Sequence, residues 1–175
     1  MKKLSLIAAA FSMLALVSCE KDEDGNPDVN ESKGYITYDN QNLEISRAQK
    51  REFGTNLNRF AFGDGAYDVV TENASGSFSL ATSLYAEGST FVPGTYSLQS
   101  HDAGQGTEPY GYAVFVLDAN NDNLLDGNDL ELEAIGGTIE ISGTGENQTA
   151  KFAIELENGK TITGECNGSI TLLEE

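Results

Sequence analysis

"GGTIEISGTGENQTAKFAIELENGKTITGECNGSITLL", residues 136–173, is a series of short runs in which apolar and polar residues alternate, with a break after each run. Ile139 and Ile141 share one side of the first run, and Phe152, Ile154 and Leu156 share one side of the second. Ile162, then Ile170 and Leu172, continue the pattern. A period of two places alternate side chains on one face of a strand, so each run predicts a half-buried β-strand. The breaks are Gly-Thr-Gly-Glu-Asn at 143–147, Asn158-Gly159 and Asn167-Gly168. Asn-Gly favours a two-residue hairpin turn because both residues accept positive φ. The stretch predicts an antiparallel meander. Its register is constrained, since a slip of one residue turns the isoleucine face to water.

The same alternation extends towards the N-terminus. "GYITYDNQNLEIS" (34–46) sets two runs around Asp39-Asn40-Gln41-Asn42, a hairpin signal. "SGSFSLATSLYA" (75–86) puts Phe78, Leu80, Thr82 and Leu84 on one face, and "VPGTYSL" (92–98) begins on a Pro-Gly turn. "YGYAVFVLD" (110–118) is apolar on both faces, as in a central strand covered on both sides. No segment sustains a 3.6-residue apolar period over three turns, and "ISRAQKREFG" (45–54) has room for two helical turns at most. With 19 glycines among so many short runs, residues 34–175 predict a single all-β domain, an antiparallel β-sandwich or barrel. A domain of that size buries enough surface to need no disulfide.

The N-terminus has a different composition. Lys2 and Lys3 precede an apolar run from Leu4 to Val17, then Ser18 and Cys19. That order is the layout of a secretory signal, and the run is shorter than the roughly 20 residues that span a bilayer. "LVSC" (16–19) resembles the bacterial lipobox. The resemblance implies that residues 1–18 are a lipoprotein signal peptide and that Cys19 is lipidated as the first mature residue. Residues 19–33, "CEKDEDGNPDVNESK", are acidic and poor in apolar residues. Such a composition does not bury enough surface to offset its ordering entropy, so it predicts a flexible tether. Acid directly after the cysteine (Glu20 to Asp24) also resembles the export signal of Bacteroidota-type cell-surface lipoproteins, which implies a lipid anchor in the outer membrane and exposure outside the cell. The stretch 136–173 resembles the ending of many small lipoproteins of that kind, which implies a sandwich or barrel and no activity.

The chain holds 10 basic and 28 acidic residues. Loss of Lys2 and Lys3 with the signal leaves 8 against 28, a charge of −20. Long-range repulsion at that charge opposes binding to nucleic acid or to anionic lipid surfaces and favours divalent cations. Lipidation of Cys19 would leave Cys166 as the one thiol; Ile162, Gly164 and Cys166 share a strand face, so Cys166 reads as a small buried apolar residue.

Within the β-domain, four aspartates are crowded into "DANNDNLLDGND" (118–129). Counted from Asp118, oxygen-bearing side chains fall at positions 1, 3, 5, 9 and 12: Asp118, Asn120, Asp122, Asp126 and Asp129. Leu124 at position 7 offers its backbone carbonyl, and Leu125 at position 8 is apolar. This is the ligand order of a calcium loop, in which a hard cation gathers six to eight oxygens. The loop resembles those of EF-hand and dockerin proteins, which implies calcium as the bound ion. It departs from them in Asn123 at position 6, where glycine is usual, in Asp129 at position 12, and in flanks that read as strands instead of helices.

Other groupings are weaker. "NRFAFGDGAYD" (58–68) carries Phe60, Phe62 and Tyr67 beside Asp64 and Asp68, read as turn and core residues before sugar-stacking ones. "SHDAGQGTEPYGY" (100–112) gathers His101, Asp102, Glu108, Tyr110 and Tyr112. Arg47, Lys50, Arg51 and Arg59 read as a solvated basic face. Paired catalytic carboxylates would have to converge on a cleft, whereas Glu131, Glu133, Glu155 and Glu157 alternate with inward apolar residues and so point to solvent. The sequence therefore favours a non-enzymatic, calcium-binding surface module for a glycan or protein ligand. A secreted hydrolase or inhibitor domain, or a structural envelope component without metal, is the alternative. If the lipobox reading holds, intact mass of the membrane-extracted protein shows Cys19 diacylated and residues 1–18 absent, because stable anchoring takes more than one acyl chain. An unmodified N-terminus refutes it.

Overall fold

The computed structural model describes residues 33–54, 56–66, 74–88, 90–145 and 147–173. The expected signal peptide, Cys19 and nearly all of the expected tether lie outside the described residues. In chain order the strands are β1 (Gly34–Tyr38), β2 (Gln41–Ile45), β3 (Arg47–Phe53), β4 (Leu57–Gly63), β5 (Ala74–Ser75), β6 (Phe78–Tyr85), β7 (Gly94–Leu98), β8 (Tyr110–Leu117), β9 (Leu124–Leu125), β10 (Leu130–Thr144), β11 (Asn147–Leu156), β12 (Thr161–Cys166) and β13 (Thr171–Leu172). Eleven of them form one sheet in the order β13-β3-β4-β6-β8-β7-β10-β11-β12-β1-β2, while β5 and β9 pair separately. The all-β expectation is met by a single curled sheet.

The inner face of the curl is the core. On β4 and β6 it presents Phe60, Phe62, Leu80 and Leu84; on β11 and β12 it presents Phe152, Ile154, Leu156, Ile162 and Cys166, all buried. The two halves meet ring to ring: Phe62 packs edge-on against Phe152 with centroids 4.9 Å apart, and Tyr38 lies 4.9 Å from Phe115. Edge-to-face pairs at this spacing add about 0.5–1.5 kcal/mol to the area they bury. Curling also brings the sheet's ends together. β2 ends the strand order and β3 is second from its other end, yet only Ser46 separates them in sequence, and its N–H reaches the Gly63 carbonyl of β4 at 3.1 Å.

The strand that turns the corner is β10. Its first residues pair with β8 (Glu133 opposite Val114) and its later ones with β7 and β11 (Ile139 opposite Tyr96 and Phe152). Leu132 and Ala134 point inward, and so do Ile139 and Ile141; even positions give way to odd ones. The change of parity is a β-bulge between Ala134 and Gly136, where Ile135 is the extra residue and faces solvent. Bulges bend and twist a strand in this way. Gly137 follows with φ 98°, and a Cβ there would stand 2.1 Å from the Ala153 carbonyl oxygen.

Several expectations are corrected. Residues 47–53 are strand and not helix: β3 pairs along its whole length with β4, and tertiary pairing overrides a weak local preference. The sheet is mixed, because β7–β8 and β13–β3 run parallel. The last run does not extend the meander. Both edges of β12 are already taken, by β11 and β1, so the chain crosses to the open edge of β3. Ile170 is buried on the way, whereas Leu172 ends exposed. The amides of Asn167 and Gly168 both reach the Lys33 carbonyl, so this Asn-Gly makes the crossing and no hairpin. Asn158-Gly159 lies in a four-residue connection, with the Leu156 amide on the Lys160 carbonyl at 2.9 Å and positive φ at Gly159. A tight two-residue turn is formed by Asp39-Asn40, with φ 50° and 63°.

Gly137→Ala tests the corner. It combines positive-φ strain with a backbone clash and is expected to cost about 2–4 kcal/mol. For a domain of this size that lowers Tm by roughly 5–15 °C. Gly145→Ala, with φ 62° and nothing within 4 Å of the added Cβ, is expected to cost only about 1 kcal/mol. Equal melting of the two variants refutes the role given to Gly137.

Candidate functional site

The 118–129 loop joins the end of β8 to the start of β10, the corner strand. Its aspartates fold the loop by accepting hydrogen bonds from its own backbone. Asp118 takes the amide of Asn121 on Oδ1 (2.6 Å) and that of Asn123 on Oδ2 (2.9 Å). Asn120 Oδ1 accepts from Asp122, and Asp122 Oδ1 from Leu124. Asp126 Oδ1 accepts from Asn128. Asp129 joins the two ends of the loop: its Oδ1 accepts from Ala119 at 3.0 Å and its Oδ2 from Asp126 at 2.8 Å. Asn and Asp side chains stabilise turns in this manner and tolerate left-handed backbone. Asn121 and Asn123 have φ 61° and 64°, so the asparagine at position 6 adopts the conformation usually given to glycine.

The loop rests on a platform of its own chain. Leu124 and Leu125 pair as β9 with Ser75 and Ala74 of β5, and Leu125 is buried. The Gly76 amide donates to the Asn123 carbonyl, and the Asp118 amide to the Ser77 carbonyl at 2.9 Å. Ser77 is held in turn by Asp64, which accepts its amide (2.8 Å) and its hydroxyl (2.6 Å). Gly65 and Gly76 lie so close to this segment that a Cβ on Gly65 would stand 1.7 Å from the Ser75 carbonyl oxygen.

The structure thus brings Asp118, Asn120, Asp122, the Leu124 backbone, Asp126 and Asp129 into one folded loop, in which the twelfth position is tied to the backbone of the second and the ninth. Among the described residues no three His, Cys, Asp or Glu side chains are gathered closely enough to hold a metal by themselves. A cation here would therefore be held by a mixed set including Asn120 and the Leu124 carbonyl. The oxygens that accept a single amide keep a lone pair for it. The two ion pairs found among the described residues, Lys50–Glu52 and Lys160–Asp39, leave the loop's carboxylates without a protein counter-charge.

Other groupings resolve differently. Phe60 and Phe62 are core residues and Asp64 a turn-former, while Tyr67 and Asp68 lie outside the described residues. His101 opens a single 3-10 turn, His101–Ala103, and its ring stacks on Tyr112 at 4.3 Å. Tyr110 stacks on Tyr85 at 4.8 Å. The Tyr112 hydroxyl donates to the Gly104 carbonyl at 2.8 Å. Glu131, Glu155 and Glu157 are exposed as expected, but Glu133 is half-buried because its Oε1 accepts from the Ser100 hydroxyl and the His101 amide. The basic face is only partly solvated. Lys50 is buried against Glu52 at 3.0 Å, and Arg51 and Arg59 both lie over the Phe53 ring. Strand alternation alone could have separated Lys50 from the two arginines, had residues 47–53 been read as strand.

Comparison of the chain with protein-family models, with curated proteins and with solved structures gave no match. Functional inference therefore rests on the residues.

Cys166 is fully buried, and desolvation raises its thiol pKa, a shift only partly offset by the Gly168 backbone and Lys33. The thiol therefore stays protonated and inert in the native state. Thiol reagents are expected to modify Cys166 no faster than the domain opens, and rapidly in denaturant. Prompt modification of the native protein contradicts this.

Proposed function

We propose that the chain is a lipid-anchored envelope lipoprotein, held in the outer membrane through Cys19 and exposed outside the cell, whose β-domain is a non-enzymatic binding module with one calcium ion in the 118–129 loop. The anchor rests on the "LVSC" lipobox-like stretch and on the acidic segment that follows it. The ion is held by the side chains of Asp118, Asn120, Asp122, Asp126 and Asp129 and by the Leu124 carbonyl.

One observation carries the calcium reading: the Ala119 amide on Asp129 Oδ1, by which the last candidate ligand closes back on the residue that follows the first. Four carboxylates in twelve residues without a protein counter-charge repel one another, and a hard divalent cation relieves that repulsion. Extracellular modules bind calcium near 10⁻⁴–10⁻³ M, which suits constant occupancy outside the cell better than sensing. Bound there, the ion ties the end of β8 to the start of the corner strand and stiffens the connection. The wet, exposed placement of Glu131, Glu155 and Glu157 favours binding over acid–base catalysis.

Because the ion binds the folded state, calcium at a hundred times its Kd adds about 2.7 kcal/mol, or roughly 5–10 °C in Tm. Chelator is expected to lower Tm by that amount and calcium to restore it. Magnesium restores it poorly, since it demands tighter octahedral geometry. The double variant Asp118→Ala, Asp122→Ala is expected to stay folded and lose the calcium response. Identical melting of the unaltered chain in chelator and in about 10 mM calcium, a hundred times a Kd of 10⁻⁴ M, with no heat of binding, overturns the calcium reading.

A further inference from the structure

The outer face of β3, β4, β6 and β8 carries a cavity of about 210 Å³. Its floor is small: Ala61 and Ala81 face each other across β4 and β6. Beside them runs a cross-strand row in which Arg51 stands opposite Arg59, Arg59 opposite Ser83, and Ser83 opposite Tyr112. At one end both guanidiniums lie over the Phe53 ring, at 4.8 and 4.6 Å. At the other end the His101 ring stacks on Tyr112.

This row is electrostatically costly. Like charges directly opposite on neighbouring strands repel and destabilise the pair. The chain has 28 acidic residues, yet neither arginine has a carboxylate partner among the described residues. Glu52, next in sequence to Arg51, points to the other face and pairs with Lys50. Arg51 Nε is buried without a hydrogen-bond acceptor, and a buried donor left unmade costs about 1–3 kcal/mol. An anion held between the two planar forks relieves their repulsion, through charge-assisted and bidentate bonds.

The remaining lining selects the body of that anion. Gln49 and Ser83 make no side-chain hydrogen bond to another described residue, so a purely apolar ring would leave them unpaired, whereas a hydroxylated ring satisfies them. The stacked rings of His101 and Tyr112 offer an apolar wall to the C–H face of such a ring, and the Tyr112 hydroxyl is fixed on the Gly104 carbonyl. The volume is below that of a drug-sized pocket and suits one ring. We propose that this groove binds a sugar acid, a pyranose ring whose carboxylate lies between Arg51 and Arg59 and whose hydroxyls meet Gln49 and Ser83. The proposal builds on the binding-module reading by naming its ligand class, and it requires neither the lipid anchor nor calcium.

Titration of the isotopically labelled full chain, followed by amide NMR shifts, tests it with glucuronate, glucose and benzoate as probes. Glucuronate is expected to give saturable shifts in β3, β4, β6 and β8. Glucose and benzoate are each expected to bind at least about tenfold more weakly, a difference of about 1.4 kcal/mol. Arg51→Gln and Arg59→Gln are each expected to weaken glucuronate by a similar factor while Tm holds or rises, since each relieves the repulsion. Substituting Glu174→Gln and Glu175→Gln, just beyond the Leu173 rim, is expected to leave affinity within about twofold. A large gain there identifies those carboxylates as the occupant and overturns the proposal. So do benzoate or glucose binding as well as glucuronate, or no saturable shift with glucuronate. Loss of the glucuronate response with the calcium response intact sinks this inference alone; the reverse pattern sinks calcium alone.

Discussion

The bulge in β10 is the constraint on which the rest of the molecule depends. A strand of period two keeps one set of side chains inward only while its register holds, and β10 must serve two partners at an angle: β8 at its start, β7 and β11 later. One extra residue, Ile135, resets the parity so that Leu132 and Ala134 before the bend, and Ile139 and Ile141 after it, all reach the same core. Without that reset the second half of the strand would turn its isoleucines outward, and the aromatic contacts between the two halves of the sheet would have no frame. Gly136 and Gly137 make the bend possible where β11 approaches most closely.

Both candidate sites are built on what this frame leaves exposed. The acidic loop bridges the gap between β8 and the start of β10, and its platform, β5 with Ser77, is secured by Asp64 at the end of β4. The groove uses the outer face of the same strands whose inner face is the aromatic core, so one run of residues serves both purposes. In β4, Phe60 and Phe62 fill the interior while Arg59 and Ala61 line the groove. Rigid strands hold such side chains at fixed spacing.

Charge separates the two sites. The chain is strongly acidic overall, and four of its carboxylates are crowded into the 118–129 loop, the site proposed for a cation. The arginine pair on β3 and β4 is a local exception: Arg51 is half-buried and Arg59 exposed, and neither has a carboxylate partner among the described residues.

Much of the fold was legible in the sequence, because strand burial is a local, periodic property. The alternation in 136–166 gave the faces of β10 (after its bulge), β11 and β12, and Asp39-Asn40 marked the hairpin. Cys166 was readable as buried from its shared parity with Ile162. The turn-forming role of the Asp and Asn residues in 118–129 was readable too, since their side chains bond to backbone amides only a few residues away. What tertiary structure decided was every pairing between distant segments. Residues 47–53 lack an apolar alternation strong enough to declare a strand, and only β4 makes them one. Asn167-Gly168 reads like a hairpin turn until both edges of β12 are seen to be occupied, which sends the chain across to β3. The convergence of Arg51, Arg59, Ser83 and Tyr112 spans more than sixty residues of sequence, and it exists only because four strands lie side by side in one register.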